Sequence, residues 1–201
     1  MLQSIKNYPQ LWILTLIVLI VAIVVFIIAG KNKRETGDSP ENLLSGRDIA
    51  ELRKAFEKLN TENMSTVHGR ELIYAIIANL EMKLDNEVDF ADFNLSQQYI
   101  YTLWYFAQTI TGRTMCVFFK EFGEPLTTLI VPAMTAIGRN DWAKIIQDGY
   151  DAYDENNENA SCDKKTVDAI NETFKNEYTR QEFYEACEIY INNNLGDFID
   201  E

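Results

Sequence analysis

Carboxylates are the residues of this chain whose spacing invites a chemical reading. Asp148, Asp151, Asp154, Glu155 and Glu158 recur at intervals of three and four, and Glu182, Glu185 and Glu188 recur every three. Paired carboxylates can run acid–base hydrolysis, but that work needs a polar cleft and one carboxyl with a raised pKa. Acidic stripes beside Asn and Lys offer neither, so no catalytic residue is assigned and a carboxylate-dependent hydrolase is the most remote reading. Asp154 also opens the pattern Asp-x-Asn-x-Glu of a calcium loop. Asn159 then stands where the sharp turn needs Gly, and Lys165 where the bidentate Glu belongs. The one histidine, His68, has no partner motif for metal binding or for activating a nucleophile. Cys116, Cys162 and Cys187 are odd in number and widely spaced, which predicts neither a zinc site nor a disulfide framework. Cys187 lies on an apolar helical face and Cys116 among Met115, Val117 and Phe118, so both read as core thiols. Phosphate-loop, dinucleotide, zinc-protease and serine-hydrolase motifs are absent, and no cofactor or metal is expected.

What remains is charge. The 201 residues carry 18 Lys plus Arg against 31 Asp plus Glu, a net of −13. Residues 1–40 are net +2, whereas residues 141–201 hold sixteen acids and five bases. Such an excess argues against direct binding of nucleic acid. Carboxylates three or four positions apart on a helix lie ~5–6 Å from one another, close to the repeat of phosphates along one DNA strand. A protein that grips a phosphate backbone with Lys and Arg could grip this face instead. A merely solvated acidic face is the plainer alternative.

The elements that must position these acids are helical. Leu11 to Ala29 is a run of 19 uncharged residues, fifteen of them Leu, Ile, Val or Phe. At ~1.5 Å per residue it spans roughly 28 Å, enough for a bilayer core, and it is too long for a signal-peptide core. A single transmembrane helix is therefore expected at 11–29, contacting lipid. Lys31, Lys33 and Arg34 after the span, against Lys6 and the amino terminus before it, place the soluble part in the cytoplasm by the positive-inside rule. Free cysteines would suit that reducing compartment. Residues 31–45 read as a linker and 46–201 as one acidic domain.

In that domain Ile49, Leu52, Ala55, Phe56 and Leu59 follow helical spacing, as do Leu72, Ile73, Ile76, Ile77 and Leu80. Ser96 is expected to cap a helix carrying Tyr99, Ile100, Leu103, Trp104, Ala107 and Ile110 on one face. An aromatic segment, Met115 to Phe122, leads to a stretch 126–137 in which Pro132 predicts a kink or two shorter pieces. Asp141 and Asp163 are expected to open further helices, and Thr179-Arg-Gln-Glu182 reads as a capping box. No segment alternates with period two, so the fold class is all-α: one transmembrane helix followed by a compact multi-helix soluble domain. Four Asn-x-Ser/Thr sequons, at Asn63, Asn94, Asn159 and Asn171, read as chance in an Asn-rich chain.

Within 96–156, the stretch LSQQYIYTLWYFAQTITG, then VFFKEFGE, then Ala133-Met-Thr-Ala136-Ile137-Gly138 with Ala143-Lys-Ile145 resembles the carboxy-terminal domain of the bacterial DNA mimic protein 19 family. Phe118 and Phe119 fit its aromatic pair, Gly123 its later Gly, and Ala136-Ile137-Gly138 its helix end. The family's Asn-Gly-Gly-Phe turn is here Thr111-Gly112-Arg113-Thr114, with a new positive charge at Arg113. The resemblance implies an acidic all-α protein that occupies the DNA site of a DNA-binding regulator.

These readings converge on a membrane-anchored domain of the inner membrane that binds another protein, a basic nucleic-acid-binding one being the leading expectation, through Asp148, Asp151, Asp154, Glu155 and Glu158. The alternative is an immunity-type or scaffold module that uses an apolar patch with aromatics such as Trp142, Tyr150 or Tyr153.

Overall fold

Apolar residues at three- and four-residue spacing, separated by glycines and Asn or Asp caps, set out the helices one by one. The computed structural model describes residues 51, 53–153 and 164–200, all inside one compact unit, residues 44–201. The span expected at 11–29, the linker at 31–45 and the calcium-like loop from Asp154 lie outside the described residues. Among those described, no helix is long and apolar enough to cross a membrane.

After a helical turn at 53–55 come α1 (Thr61–Met64), α2 (Gly69–Asp85), α3 (Leu95–Ile110), α4 (Met115–Phe122), α5 (Leu126–Ala136), α6 (Asn140–Asp151), α7 (Lys164–Glu177) and α8 (Arg180–Asn193). No strand occurs among the described residues, as the absence of period-two alternation requires. Helix α3 packs against α2, α4 and α5, helix α6 against α4, α5 and α7, and α8 against α2.

Helix α3 is thus central, and it is buried on more than the one face its periodicity marks. Besides Ile100, Leu103, Trp104 and Ala107, it buries Thr102, Phe106 and Thr109. Phe106 is fully buried and meets Phe118 of α4 and Phe174 of α7 edge-to-face, at centroid distances of 5.1 and 5.7 Å. Each such ring contributes about 1.5–3 kcal/mol by leaving water, with a further increment from the edge-to-face geometry. The aromatic series continues through Trp142, Tyr178 and Phe183.

Several local expectations shift. Asn94, not Ser96, caps α3, in a reciprocal capping box with Gln97. Ser96 is buried and donates instead to Asp197 at 2.6 Å. The aromatic segment 115–122 is a two-turn helix. Helix α5 is one element that runs through Pro132. The missing N–H there frees only the Thr128 carbonyl, on an exposed residue, where water can replace the lost bond. Helix α6 begins at Asn140, with Arg139 at its cap and Asp141 inside the first turn. Thr179 does accept the Glu182 N–H, but the Glu182 side chain turns to Arg139 rather than back to the cap. The opening of α7 at Asp163 lies outside the described residues.

The carboxy-terminal end is buttoned onto the first part of the domain. Asp200 accepts the Leu59 N–H at 2.7 Å and an Asn79 amide N–H at 2.9 Å, and pairs with Lys83. Its own N–H donates to the Leu59 carbonyl at 2.8 Å.

Candidate protein-binding surface

The acidic candidates depend on α6, and α6 depends on how α5 ends. Gly138 has φ +80°, a backbone region that side chains with a Cβ disfavour. Its N–H donates to the Thr135 carbonyl, and the Arg139 N–H donates to that of Met134. This is the paired-bond helix stop that a left-handed glycine permits. It delivers Arg139 to the start of α6, with its guanidinium carbon 3.4 Å from the centre of the fully buried Trp142 ring. The same guanidinium is hydrogen-bonded to Asp141 and to Glu182 of α8. The Arg139 hydrogen bonds hold the Asp141 carboxyl below the ordinary range despite its partial desolvation.

On its inner side α6 buries Trp142, Ala143, Ile146 and Gly149. A Cβ at Gly149 would stand 3.0 Å from the Met115 sulfur, so glycine lets α4 come close. The opposite side carries Asp148 and Asp151, both exposed. Lys144 reaches Asp148 at 3.4 Å, and the Gln147 amide donates to Asp151 at 2.7 Å. Gln147 is neutral, so this bond brings no positive charge to Asp151. The two carboxylates therefore share a helix face one turn apart, as their spacing requires. Asp154, Glu155 and Glu158 lie outside the described residues.

The second stripe, on α8, is largely committed inside the molecule. Glu182 binds Arg139. Glu188 accepts the Gly69 N–H at the start of α2 and lies 3.1 Å from His68. Among the described residues Glu185 accepts from the neutral Gln181 amide. Sequence spacing alone missed this difference, because the partners stand 43 and about 120 residues away. It also gave no weight to Asp85 at the end of α2, or to Glu87, Asp89 and Asp92 between α2 and α3, all four of which are exposed.

Trp142 is wholly buried and cannot serve an apolar contact patch. Tyr150 and Tyr153 are half-buried and pack on Phe119 at 5.2 and 5.6 Å. Among the described residues no cluster of His, Cys, Asp or Glu is arranged to hold a metal ion. Three sequon asparagines have structural work. Asn63 and Asn94 act in helix-cap bonds, and the buried Asn171 accepts the Met115 N–H at 3.0 Å. The new charge at Arg113 is met by a two-pronged bond to Glu121, at 2.8 and 2.9 Å.

Cysteine chemistry departs from expectation. Cys187 is a free, fully buried thiol whose pKa burial pushes up. Cys116, however, is half-buried and disulfide-bonded, so the expected absence of disulfides and its reading as a core thiol are both corrected. Wide spacing along the chain says nothing of distance in space. The argument for a reducing compartment from free thiols falls with it.

The profile of the family described as DMP19-like protein matches residues 91–199. The chain belongs to this family. The match takes in α3 through α8 and extends well past the stretch 96–156 in which the resemblance is legible. Comparison with curated proteins and with solved structures yields no match. The matched DMP19-like region holds seventeen acids and eight bases. Its Ala136-Ile137-Gly138 signature is the helix stop described above, which sets the entry of α6.

Proposed function

We propose that this DMP19-like protein is a binding domain that uses an acidic face to engage a basic protein, in the manner of a DNA mimic. Family membership over 91–199 carries the reading. The exposure of Asp148 and Asp151 on one face of α6 supports it, with Asp154, Glu155 and Glu158 continuing the acid run in the sequence. The partner is a nucleic-acid-binding protein whose Lys and Arg side chains would otherwise meet phosphates. Tethering through the apolar run 11–29, with the domain on the cytoplasmic side of the inner membrane, holds that partner away from the chromosome. An ion-pair interface of this kind forms several contacts at once and weakens steeply with salt.

The test uses the full chain in detergent micelles as bait, washed through a rising salt gradient, with mass spectrometry of the released proteins. A nucleic-acid-binding protein released at moderate salt, and lost from a bait carrying Asp148→Asn and Asp151→Asn, is the expected result. A partner retained at high salt by both baits would replace this reading with a scaffold or immunity-type contact.

A further inference from the structure

We propose that the outward side of α3 is a docking surface for an arginine-rich segment of a partner protein, made of a row of half-buried aromatic rings beside an acidic rim. Helix α3 packs against α2, α4 and α5. Gln98, Tyr101, Tyr105 and Gln108, at intervals of three and four, nevertheless stay half-buried and mark the side it turns outward. Rings line that side without a break. Phe90, in the turn before α3, meets Tyr101 at a centroid distance of 5.4 Å, Tyr101 meets Tyr105 at 4.7 Å, and Tyr105 meets Phe122 of α4 at 5.4 Å. All four rings keep part of their surface in water. The core row of Phe106, by contrast, is closed over completely.

The charge beside the row is of one sign. From Leu84 to Gly112 the chain holds four acids and no Lys, Arg or His, and those acids, Asp85, Glu87, Asp89 and Asp92, are exposed. Asp89 accepts the Ala91 N–H at 3.1 Å, a bond that brings it no positive charge. On α2, Glu81 accepts the Tyr105 hydroxyl at 3.0 Å. Burial first, and then the Glu81 and Asp85 carboxylates, hold the Tyr101 hydroxyl above its ordinary pKa against the bond with Tyr105, so the negative field reaches the rings.

Aromatic faces are themselves electronegative, so rings and rim attract the same ligand, a cation that stacks. Guanidinium is that cation: planar and weakly hydrated, it lies on a ring while its N–H groups serve a carboxylate, which an ammonium does poorly. The chain's own arginines show the fit. Arg53 donates to Glu81 at 3.0 Å with its side chain still 43% exposed, and Arg139 lies on Trp142 between Asp141 and Glu182. A nucleic acid or an anionic lipid surface is repelled by the rim, and a second copy of this chain would bring its own carboxylates against it. The residues differ from those on α6, and the inference needs neither that face nor the membrane anchor.

The test reads fluorescence anisotropy of dye-labelled octa-arginine and octa-lysine peptides against the full chain in micelles of a neutral detergent, at physiological salt. Octa-arginine is expected to bind about fivefold or more tightly than octa-lysine. Tyr101→Leu keeps an apolar side chain but removes a ring, and should cut that ratio to below about twofold, whereas Tyr101→Phe should keep it. Glu87→Gln with Asp92→Asn should weaken both peptides by about threefold or more. Asp148→Asn with Asp151→Asn should leave the ratio unchanged. Equal affinities for the two peptides overturn the proposal, as does a ratio that survives Tyr101→Leu or one that is lost with Asp148 and Asp151 instead. So does a mass by light scattering that halves on Tyr101→Leu, since the row would then belong to a dimer. No captured partner enters this test, so its failure leaves the salt-gradient result standing, and the reverse.

Discussion

Asp200 and Arg139 each tie together parts of the domain that are far apart in the chain. Burial alone would raise the Asp200 carboxyl, but bonds from Lys83, the Leu59 N–H and Asn79 outweigh it and hold the group below its ordinary value of 3.8. A carboxyl depressed on folding stabilises fully above its unfolded pKa and loses that contribution as the pH falls through its folded pKa. Asp200→Ala is therefore expected to lower unfolding free energy by about 2 kcal/mol at neutral pH. The gap to the unsubstituted protein should narrow as the pH falls below that ordinary value and through the depressed folded one, as read by urea titrations across acid pH. Arg139 is a second such residue, stacked on Trp142 and bonded to both Asp141 and Glu182. Arg139→Ala should cost about 1–2 kcal/mol in the same titration. Arg139→Lys should recover less than half, because an ammonium lacks the planar fork that serves two carboxylates at once. Full recovery by lysine would show that only the charge matters.

Helix ends and helix contacts decide where the acidic face points. Gly138 is exposed and a Cβ there would meet nothing within 4 Å, so Gly138→Ala tests the backbone alone. A loss of about 1 kcal/mol is expected, without change in the denaturant slope. Asn171 ties α7 to α4 through the Met115 N–H. Its replacement by Ala leaves a buried donor unbonded, at a cost of about 1–3 kcal/mol in thermal or urea unfolding. At this scale the sequence was informative wherever one apolar face suffices. All five residues read from the spacing of α2, Leu72, Ile73, Ile76, Ile77 and Leu80, are buried. It was less so for α3, since a helix with neighbours on several sides buries Phe106 and Thr102 outside the periodic stripe. Capping was misplaced by two residues at Ser96 because Asn94 and Gln97 satisfy each other first. The commitments of Glu182 and Glu188 were illegible because they join residues far apart in the chain, and cysteine spacing carries no sign of the disulfide at Cys116.

For the molecule as a whole, the family and the all-α fold were both within reach of the sequence, and the candidate site only in part. Asp148 and Asp151 share an exposed face as their spacing required, while Glu182 and Glu188 of the α8 stripe are bound internally, so that stripe contributes less free charge than its composition implies. An interface dominated by phosphate-like carboxylates has a further consequence: it must compete with DNA for the same partner surface. The most direct measurement is a competition titration on the captured complex, with the full chain in micelles, the purified partner, and duplex DNA added at fixed salt. DNA is expected to displace the chain completely, and Asp148→Asn with Asp151→Asn to weaken the starting complex by about tenfold. A ternary assembly in which DNA and this protein bind the partner together, unaffected by either substitution, would contradict the mimic account.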